Sequence, residues 1–521
     1  MTKKVIIVIT VGFLFLAAGI QAEEKQDALS LSLEDCVLKA LENNLDLAIE
    51  IYEPELAELN IMSTREMFIP DLSFNISKRE TNSASYSWLD ASDQVSTVYD
   101  NYSAEISQLI PTGGTLSISI DGYKNETNRK FQTINPRFGD TLRFDFSQPL
   151  LKDFGFKITR KDIIVASNNL DTATYNLKSA IIDTIYNIEE AYWDLVYKIE
   201  ILKVRKQSLK LARDLLEKNR RAVAIGTKAP IDIIDAKAAV ASREADIIQA
   251  EADVKNSEDT LRALMNIAAE DKLLSDVHIT PSGKPSYEKK NINLDSAILT
   301  AMENRTDLKV SKINIQNEEI NLNYAKNQLL PSLNLNASYW SPGISGTQLV
   351  YPPGEIFREP IAIIPGTAAD ALKDAFGFKY QNWSIGISLD IPLNSVFSRA
   401  NYISSKIELE RAKLNLENQE QSILLEIKNS VRAVETNFRR LNAYKAAREL
   451  AVEKLEAEED KFKVGLSTNY QVLEYQSQLA TAQTNELKAI IDYNLSLANL
   501  NKVMGITLEE KNIKIADVLS R

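Results

Sequence analysis

Apolar residues recur at helical spacing over two unusually long stretches of the chain. In the first, Ile181, Ile185, Ile188, Tyr192, Leu195 and Ile199 follow one another three or four residues apart; in the second, Ile423, Ile427, Val431, Val434, Phe438 and Leu441 do the same. Such spacing marks one packing face of an amphipathic helix. The first pattern predicts a helix from Ile158 to Ala222, a turn at Gly226 and a return helix from Pro230. At 1.5 Å per residue its first arm would run roughly 100 Å, against an average globular helix of about 11–12 residues. The second predicts a hairpin from Val396 to Met504 with its turn at Gly465. Sustained spacing near 3.5 over such lengths implies coiled-coil packing. Tyr192 and Trp193 then read as core, and Glu453, Lys454, Glu456, Glu458 and Glu459 as a solvated face.

Between helices the period changes to two, the signature of half-buried strands. Leu72, Phe74 and Ile76 alternate with Ser73, Asn75 and Ser77, and Leu142, Phe144 and Phe146 with Arg143, Asp145 and Ser147. Leu333, Leu335, Ala337 and Tyr339 alternate with Asn334, Asn336 and Ser338; Trp383, Ile385, Ile387 and Leu389 with Ser384, Gly386 and Ser388. Two further strands, 102–110 and 115–123, flank Pro111-Thr112-Gly113-Gly114, a tight-turn composition. The matching part of the later half, Ser341 to Tyr380, is rich in Pro and Gly and reads as a long loop. Alternation alone also describes a soluble sandwich with one solvated face. Three features favour a membrane barrel shared between subunits. Several segments have about the length of a tilted membrane strand. Tyr339, Trp340 and Trp383 sit at strand ends, where an interfacial girdle lies. Each half has too few strands to close alone, and an open edge in lipid is not viable.

The pattern occurs twice. Leu33-Glu34-Asp35 and Ala40 to Leu47 recur as Leu294-Asp295-Ser296 and Ala301 to Leu308. In the same order FIPDLSFN (68–75) falls on LLPSLNLN (329–336), SQPLL (147–151) on DIPLN (390–394), and IGTKAPIDIIDA (225–236) on VGLSTNYQVLEY (464–475). The expected organisation is a leader at 1–22 and a first repeat at 23–291, with strands within 71–149 and a helical hairpin at 156–266. A second repeat at 292–521 has strands within 332–392, a hairpin at 396–505 and a C-terminal tail.

Composition removes several alternatives. The 521 residues carry 60 Lys and Arg against 72 Asp and Glu, a formal charge of −12. Nucleic-acid binding needs a basic patch or stripe, so no nucleic-acid partner is expected. One cysteine (Cys36) and one histidine (His278) exclude disulfide frameworks, Cys/His zinc sites and Cys–His nucleophile pairs within one chain. No carboxylate stands in a motif with a base, nucleophile or metal set, so neither an enzyme nor a cofactor is expected. Lys3 and Lys4, the apolar run Val5 to Leu16 and the small residues Ala17 to Ala22 read as a secretory signal. The run falls short of the ~20 residues of a membrane span, and the expectation is an exported chain without a transmembrane helix.

Helix, strands, long helix, glycine turn and return helix, all twice, resembles the outer-membrane efflux protein family of TolC-like channels. The motifs that carry the resemblance are FIPDLSF and LLPSLNL, SQPLL, AYWDLV (191–196), VGLST (464–468) and AIIDYNLSLANLNKVMG (489–505). The resemblance implies a mainly α fold with membrane β: a trimeric α-helical tunnel of coiled-coil hairpins joined to a shared outer-membrane β-barrel. Its implied function is a passive exit duct for small-molecule efflux or type I protein secretion. The alternative is a periplasmic coiled-coil scaffold or adaptor without a pore. The partners implied are two further copies in a homotrimer, a periplasmic adaptor (membrane fusion) protein, an inner-membrane pump or ABC transporter, and outer-membrane lipid. With two strands per half the barrel has twelve strands. Strands 102–110 and 115–123 either enlarge it or form a hairpin outside the membrane, and the latter is expected.

The resemblance also implies site residues. The turns at Gly226-Thr227 and Gly465-Leu466-Ser467 face the periplasm and dock the adaptor. Where the family has two acidic residues ringing the constriction, this chain has Gln471 and Glu474, so one charge is missing. A Tyr–Asp–Arg tether of some members maps onto Phe462, Asp232 and Ser467, and only the Asp remains. Lys228 or Lys463 is the expected partner of Asp232.

Overall fold

A computed structural model describes residues 29–87, 90, 93–129, 132–267, 278–283, 285, 287–354 and 358–514. The leader expected at 1–22 and the end of the C-terminal tail lie outside them. In chain order the elements are β1 (Leu29–Leu31), α1 (Leu33–Asn43), α2 (Leu45–Arg65), β2 (Asp71–Ala84), β3 (Gln94–Leu109), β4 (Thr115–Thr127) and β5 (Ile134–Pro149). There follow α3 (Phe156–Thr159), α4 (Lys161–Ala224), α5 (Ile231–Met265), β6 (Ile279–Pro281), α6 (Leu294–Asn304) and α7 (Thr306–Asn327). The remainder is β7 (Ser332–Val350), β8 (Ala362–Ile364), α8 (Ala368–Phe376), β9 (Asn382–Asp390), α9 (Val396–Lys463), α10 (Asn469–Met504) and α11 (Thr507–Glu510). Among the described residues no helix is long and apolar enough to cross a membrane.

The chain divides into two compact units, each drawing on both sequence halves. One comprises residues up to 44, Asn187–Glu288 and Phe438–Leu495. Its β1 and β6 pair in parallel, Leu29 opposite Ile279. Tyr192 is wholly buried beside them; its hydroxyl donates to the Leu31 carbonyl (3.4 Å) and accepts from the Gly283 amide (2.8 Å). Trp193 meets the Tyr192 ring edge-on at 5.3 Å. Both aromatics are therefore core.

The other unit holds the strands β2–β5 and β7–β9 and the helix segments nearest them. Its helical core packs Ala297, Ala301 and Leu308 against Ile423, Ile427 and Val503. Here the chain breaks between α6 and α7 at Arg305 (φ −62°, ψ 126°), and in the first unit Asn44, which follows α1, has nearly the same backbone (φ −63°, ψ 124°). Arg305 holds its corner by donating to Asp307 (2.6 Å), Glu426 (2.5 Å) and the Val503 carbonyl (3.3 Å).

All the long strands form one antiparallel meander ordered β2-β3-β4-β5-β7, with β9 and the short β8 both on the far edge of β7. Because side chains alternate across a strand, register decides which residues share a face. One row reads Leu72, Ile106, Ile118, Phe144, Tyr339, Trp383 across six strands; the next reads Ser73, Glu105, Ser119, Arg143, Trp340, Asn382. Over these rows the sheet has one apolar and one predominantly polar face; farther along, the first face carries Lys78, Asp100 and Lys124 in a single row.

Two expectations are corrected. Strands 102–110 and 115–123 are not a separate hairpin; as β3 and β4 they lie inside the sheet, between β2 and β5. In two rows their apolar residues meet apolar neighbours on both sides: Leu72, Ile106, Ile118 and Phe144 in one, Phe74, Ala104, Ile120 and Leu142 in the next. The segment 341–380 is not a single long loop, because β7 continues to Val350 and α8 follows. α8 starts at a capping box in which Thr367 and Asp370 bond reciprocally. It packs on β5 and β7, so close that a Cβ on Gly343 would stand 1.9 Å from the Ala371 carbonyl oxygen.

β3, β4 and β5 are strapped together by one side chain. Tyr102 on β3 crosses Gly122 of β4 and donates its hydroxyl to buried Asp140 of β5 at 2.5 Å. A Cβ on Gly122 would sit 2.1 Å from the Tyr102 ring. Gly122→Val should displace that ring and leave Asp140 without its donor. The expected cost is about 1–3 kcal/mol, read as a lower unfolding midpoint of the purified protein in detergent.

Candidate functional site

The two glycine turns are built alike. Gly226 (φ 83°) and Gly465 (φ 80°) occupy the left-handed region, where a side chain is strained and glycine is not. At each, the glycine amide and the following amide close back on the helix. Gly226 bonds Val223 and Thr227 bonds Ala222; Gly465 bonds Phe462 and Leu466 bonds Lys461. This is the Schellman arrangement. A Cβ on either glycine would meet nothing within 4 Å, so backbone conformation alone demands glycine there. Around the turns Ile225, Ile231, Ile234, Val464, Leu466 and Tyr470 are all exposed. The two turns thus carry a collar of six exposed apolar side chains. The helical period of 225–236 and 464–475 conceals it, because exposure is not legible in a stripe.

Behind the turns the two hairpins are joined by a polar cluster. Asn219 and Asn469 are buried (0% and 3% exposed), and the Asn219 amide donates to Asn469 Oδ1 at 2.7 Å. Both amides also reach the Asp232 backbone carbonyl, at 3.3 and 3.4 Å. Lys228 Nζ donates to Asn219 Oδ1 (3.4 Å) and lies 3.4 Å from the centroid of the Phe462 ring. Burial pulls the Lys228 ammonium below its ordinary range, while the Asp232 carboxylate pushes the other way. Of the two expected partners of Asp232, Lys228 keeps an electrostatic interaction with its carboxylate, while Lys463 is corrected. Asp232 contributes its carbonyl, Lys228 rests on Phe462, and Lys463 pairs with Asp460 at 2.7 Å. Asn219 had one sequence signal: it continues the buried row Ala212, Leu215, Leu216 as a polar residue.

The remaining site residues make local contacts, most of them at the second turn. Thr468 precedes α10 and Gln471 is its third residue, and each bonds the other: the Gln471 amide reaches Thr468 Oγ1 (3.3 Å), while the Thr468 amide reaches Gln471 Oε1 (3.2 Å). Gln471 is therefore a capping-box residue, a role spelled by the Thr-x-x-Gln spacing. Glu474 is exposed and accepts from Gln478 at 2.9 Å. Thr227 donates its hydroxyl to the Ala222 carbonyl at 2.9 Å. Ser467 donates to Glu458 at 2.5 Å, and Lys461 pairs with the same carboxylate at 3.2 Å. Glu458, expected on a solvated face, is only 5% exposed; the turn folds back over it.

The Ser467 hydroxyl holds the Glu458 carboxyl below the usual range, Lys461 adds to this, and desolvation opposes both. A carboxyl depressed in the folded state contributes stability above its unfolded pKa of about 4.3, and this is lost as pH falls through the folded value. Hydrogen exchange at 464–471 should accelerate once pH drops below about 4. Ser467→Ala should move that acceleration to higher pH.

Among the described residues no three His, Cys, Asp or Glu side chains are grouped to hold a metal ion.

Comparison with known proteins agrees with this architecture. The model of the family described as outer membrane efflux protein matches residues 150–266 and 297–506. The outer membrane protein TolC of Vibrio cholerae is 24% identical over 314 residues, 60% of this chain and 64% of that protein, so the match spans less than two thirds of it. Nodulation protein T of Rhizobium leguminosarum bv. trifolii is 23% identical over 75% of this chain and 76% of its own. Among solved structures, the Campylobacter jejuni CmeC outer membrane channel superposes with a TM-score of 0.63 at 16% identity, over 98% of this chain and 99% of that one. The open state of the Neisseria gonorrhoeae MtrE outer membrane channel gives 0.62 at 19% identity, over 95% and 96%. The sheet, the paired hairpins and a family match over more than half the residues together establish that the chain belongs to the outer membrane efflux protein family.

Proposed function

We propose that this chain is one subunit of a homotrimeric outer-membrane exit duct, passive in itself and opened at its periplasmic turns. The observation that carries the reading is the sheet, whose register aligns an apolar band across six strands, from Leu72 to Trp383, with a mostly polar row behind it. An apolar face of that kind suits lipid, and a polar one suits a water-filled lumen. A membrane sheet must close on itself, which a single copy with two free edges does not do.

The exposed collar beside Gly226-Thr227 and Gly465-Leu466-Ser467 is the docking surface for a periplasmic adaptor. An inner-membrane pump or ABC transporter supplies the energy for small-molecule efflux or type I secretion. The cluster of Asn219, Asn469, Asp232, Lys228 and Phe462 is the contact that keeps the two hairpins of each copy together when the duct is closed. It takes the place of the Tyr–Asp–Arg tether. Glu474, exposed one turn inside α10, contributes the charge at the constriction, while Gln471 maintains the helix start.

Membrane fractionation tests the reading. A duct is recovered in the outer membrane; recovery with the inner membrane or the soluble periplasm would replace it with a pore-free scaffold or adaptor.

A further inference from the structure

The sheet of one copy has six long strands, because β3 and β4 stand between β2 and β5. Four strands per copy are what two strands in each sequence half provide. We propose that the inserted hairpin widens the duct: three copies close, β9 of each against β2 of the next, into an eighteen-stranded barrel. The inference rests on the trimeric reading above and goes beyond it in fixing the size of the barrel.

Three observations carry it. First, the hairpin is structurally committed to the wall. β3 pairs with β2 from Asp71↔Ser107 to Ala84↔Gln94, and β4 with β5 from Thr115↔Ser147 to Asn125↔Arg137. The Tyr102 bond to Asp140 spans the inserted strands. The turn at its base is tied in too: the Gln148 amide donates to the Thr112 carbonyl (3.2 Å), as does the Gly155 amide (3.0 Å). Gly113, at φ 94°, lies where a Cβ would be 2.2 Å from the Asp153 carbonyl oxygen.

Second, the two edges suit each other. Every neighbouring pair in the meander is antiparallel, so with six strands β2 and β9 run in opposite directions. The β9 edge of one copy therefore meets the β2 edge of the next in antiparallel sense, with no strand reversed. Both edges carry exposed apolar residues on the same face of the sheet: Phe74 and Ile76 on β2, Ile385 and Ile387 on β9. Pairing them abolishes both edges, as a barrel in lipid requires.

Third, the insert leaves room inside. Toward the turn at Gly113 its polar face carries the short Ser103, Ser107, Ser117 and Ser119 around Glu105.

Strand spacing of about 4.8 Å and a tilt of about 40° give a backbone diameter of roughly 36 Å for eighteen strands and roughly 24 Å for twelve. Barrels of sixteen to eighteen strands leave an open aqueous channel.

Electron cryomicroscopy of the purified full-length chain in lipid nanodiscs tests this without any substitution. The expected cross-section shows eighteen strands and a barrel about 1.5-fold wider than a twelve-stranded one. Twelve strands with residues 94–127 outside the wall would overturn the inference and leave the duct reading intact. A particle with no closed barrel would overturn both.

Discussion

Combining Lys228→Ala with Asn469→Ala should raise the open probability of the reconstituted channel by about a hundredfold. A cation over an aromatic ring is worth about 2 kcal/mol when desolvated, and Lys228 lies 3.4 Å from the Phe462 centroid. Removing Asn469 leaves buried Asn219 without its 2.7 Å partner, at about 1–3 kcal/mol. The groups touch, so their effects do not add fully. A combined loss of about 3 kcal/mol moves a two-state equilibrium by about two decades. Lys463→Ala is the control: its partner Asp460 is exposed and the pair stands apart from the cluster, so conductance should be unchanged. A double variant that conducts like the unsubstituted protein would place the closing contact elsewhere.

The second large effect concerns Tyr192. Tyr192→Ala should lower stability by about 3–5 kcal/mol, the usual range for emptying a buried aromatic site. Tyr192→Phe keeps the ring but leaves the Gly283 amide and Leu31 carbonyl without the hydroxyl, for about 1–3 kcal/mol. Thermal unfolding in detergent should rank the three proteins in that order. Equal midpoints for Phe and Ala would mean that the hydroxyl bridge between β1 and the segment after β6, not the packing, holds this unit. The single thiol should not complicate these measurements, because burial pushes Cys36 up to about 12 and keeps it protonated.

Much of this architecture was legible in the sequence because periodicity reports which face of an element is buried. The row Ile181, Ile185, Ile188, Tyr192, Leu195 is buried at 0–1% exposure throughout, and the alternation around Phe144 and Ile385 sorted each strand into its two faces. Periodicity does not report neighbours. Nothing in 102–110 or 115–123 says which strand lies beside them, since register is set by pairing across the sheet; hence the misplaced hairpin. In 341–380 the prolines masked a strand extension and α8, although Thr367 and Asp370 spelled its start. At the turns the glycines were plain from position, yet the closing cluster was not. It rests on two buried asparagines and a backbone carbonyl, and only the tertiary fold brings Asn219 and Asn469, 250 residues apart, within 2.7 Å. Glu458 misled for the same reason, as a charge in an acidic run gives no sign that a turn will cover it.

The central claim is that copies of this chain form a gated pore. Single-channel recording of the purified full-length protein in planar bilayers, with its mass measured in the same detergent, tests it most directly. The account predicts an SDS-sensitive trimer that conducts ions; a monomer without conductance would contradict it.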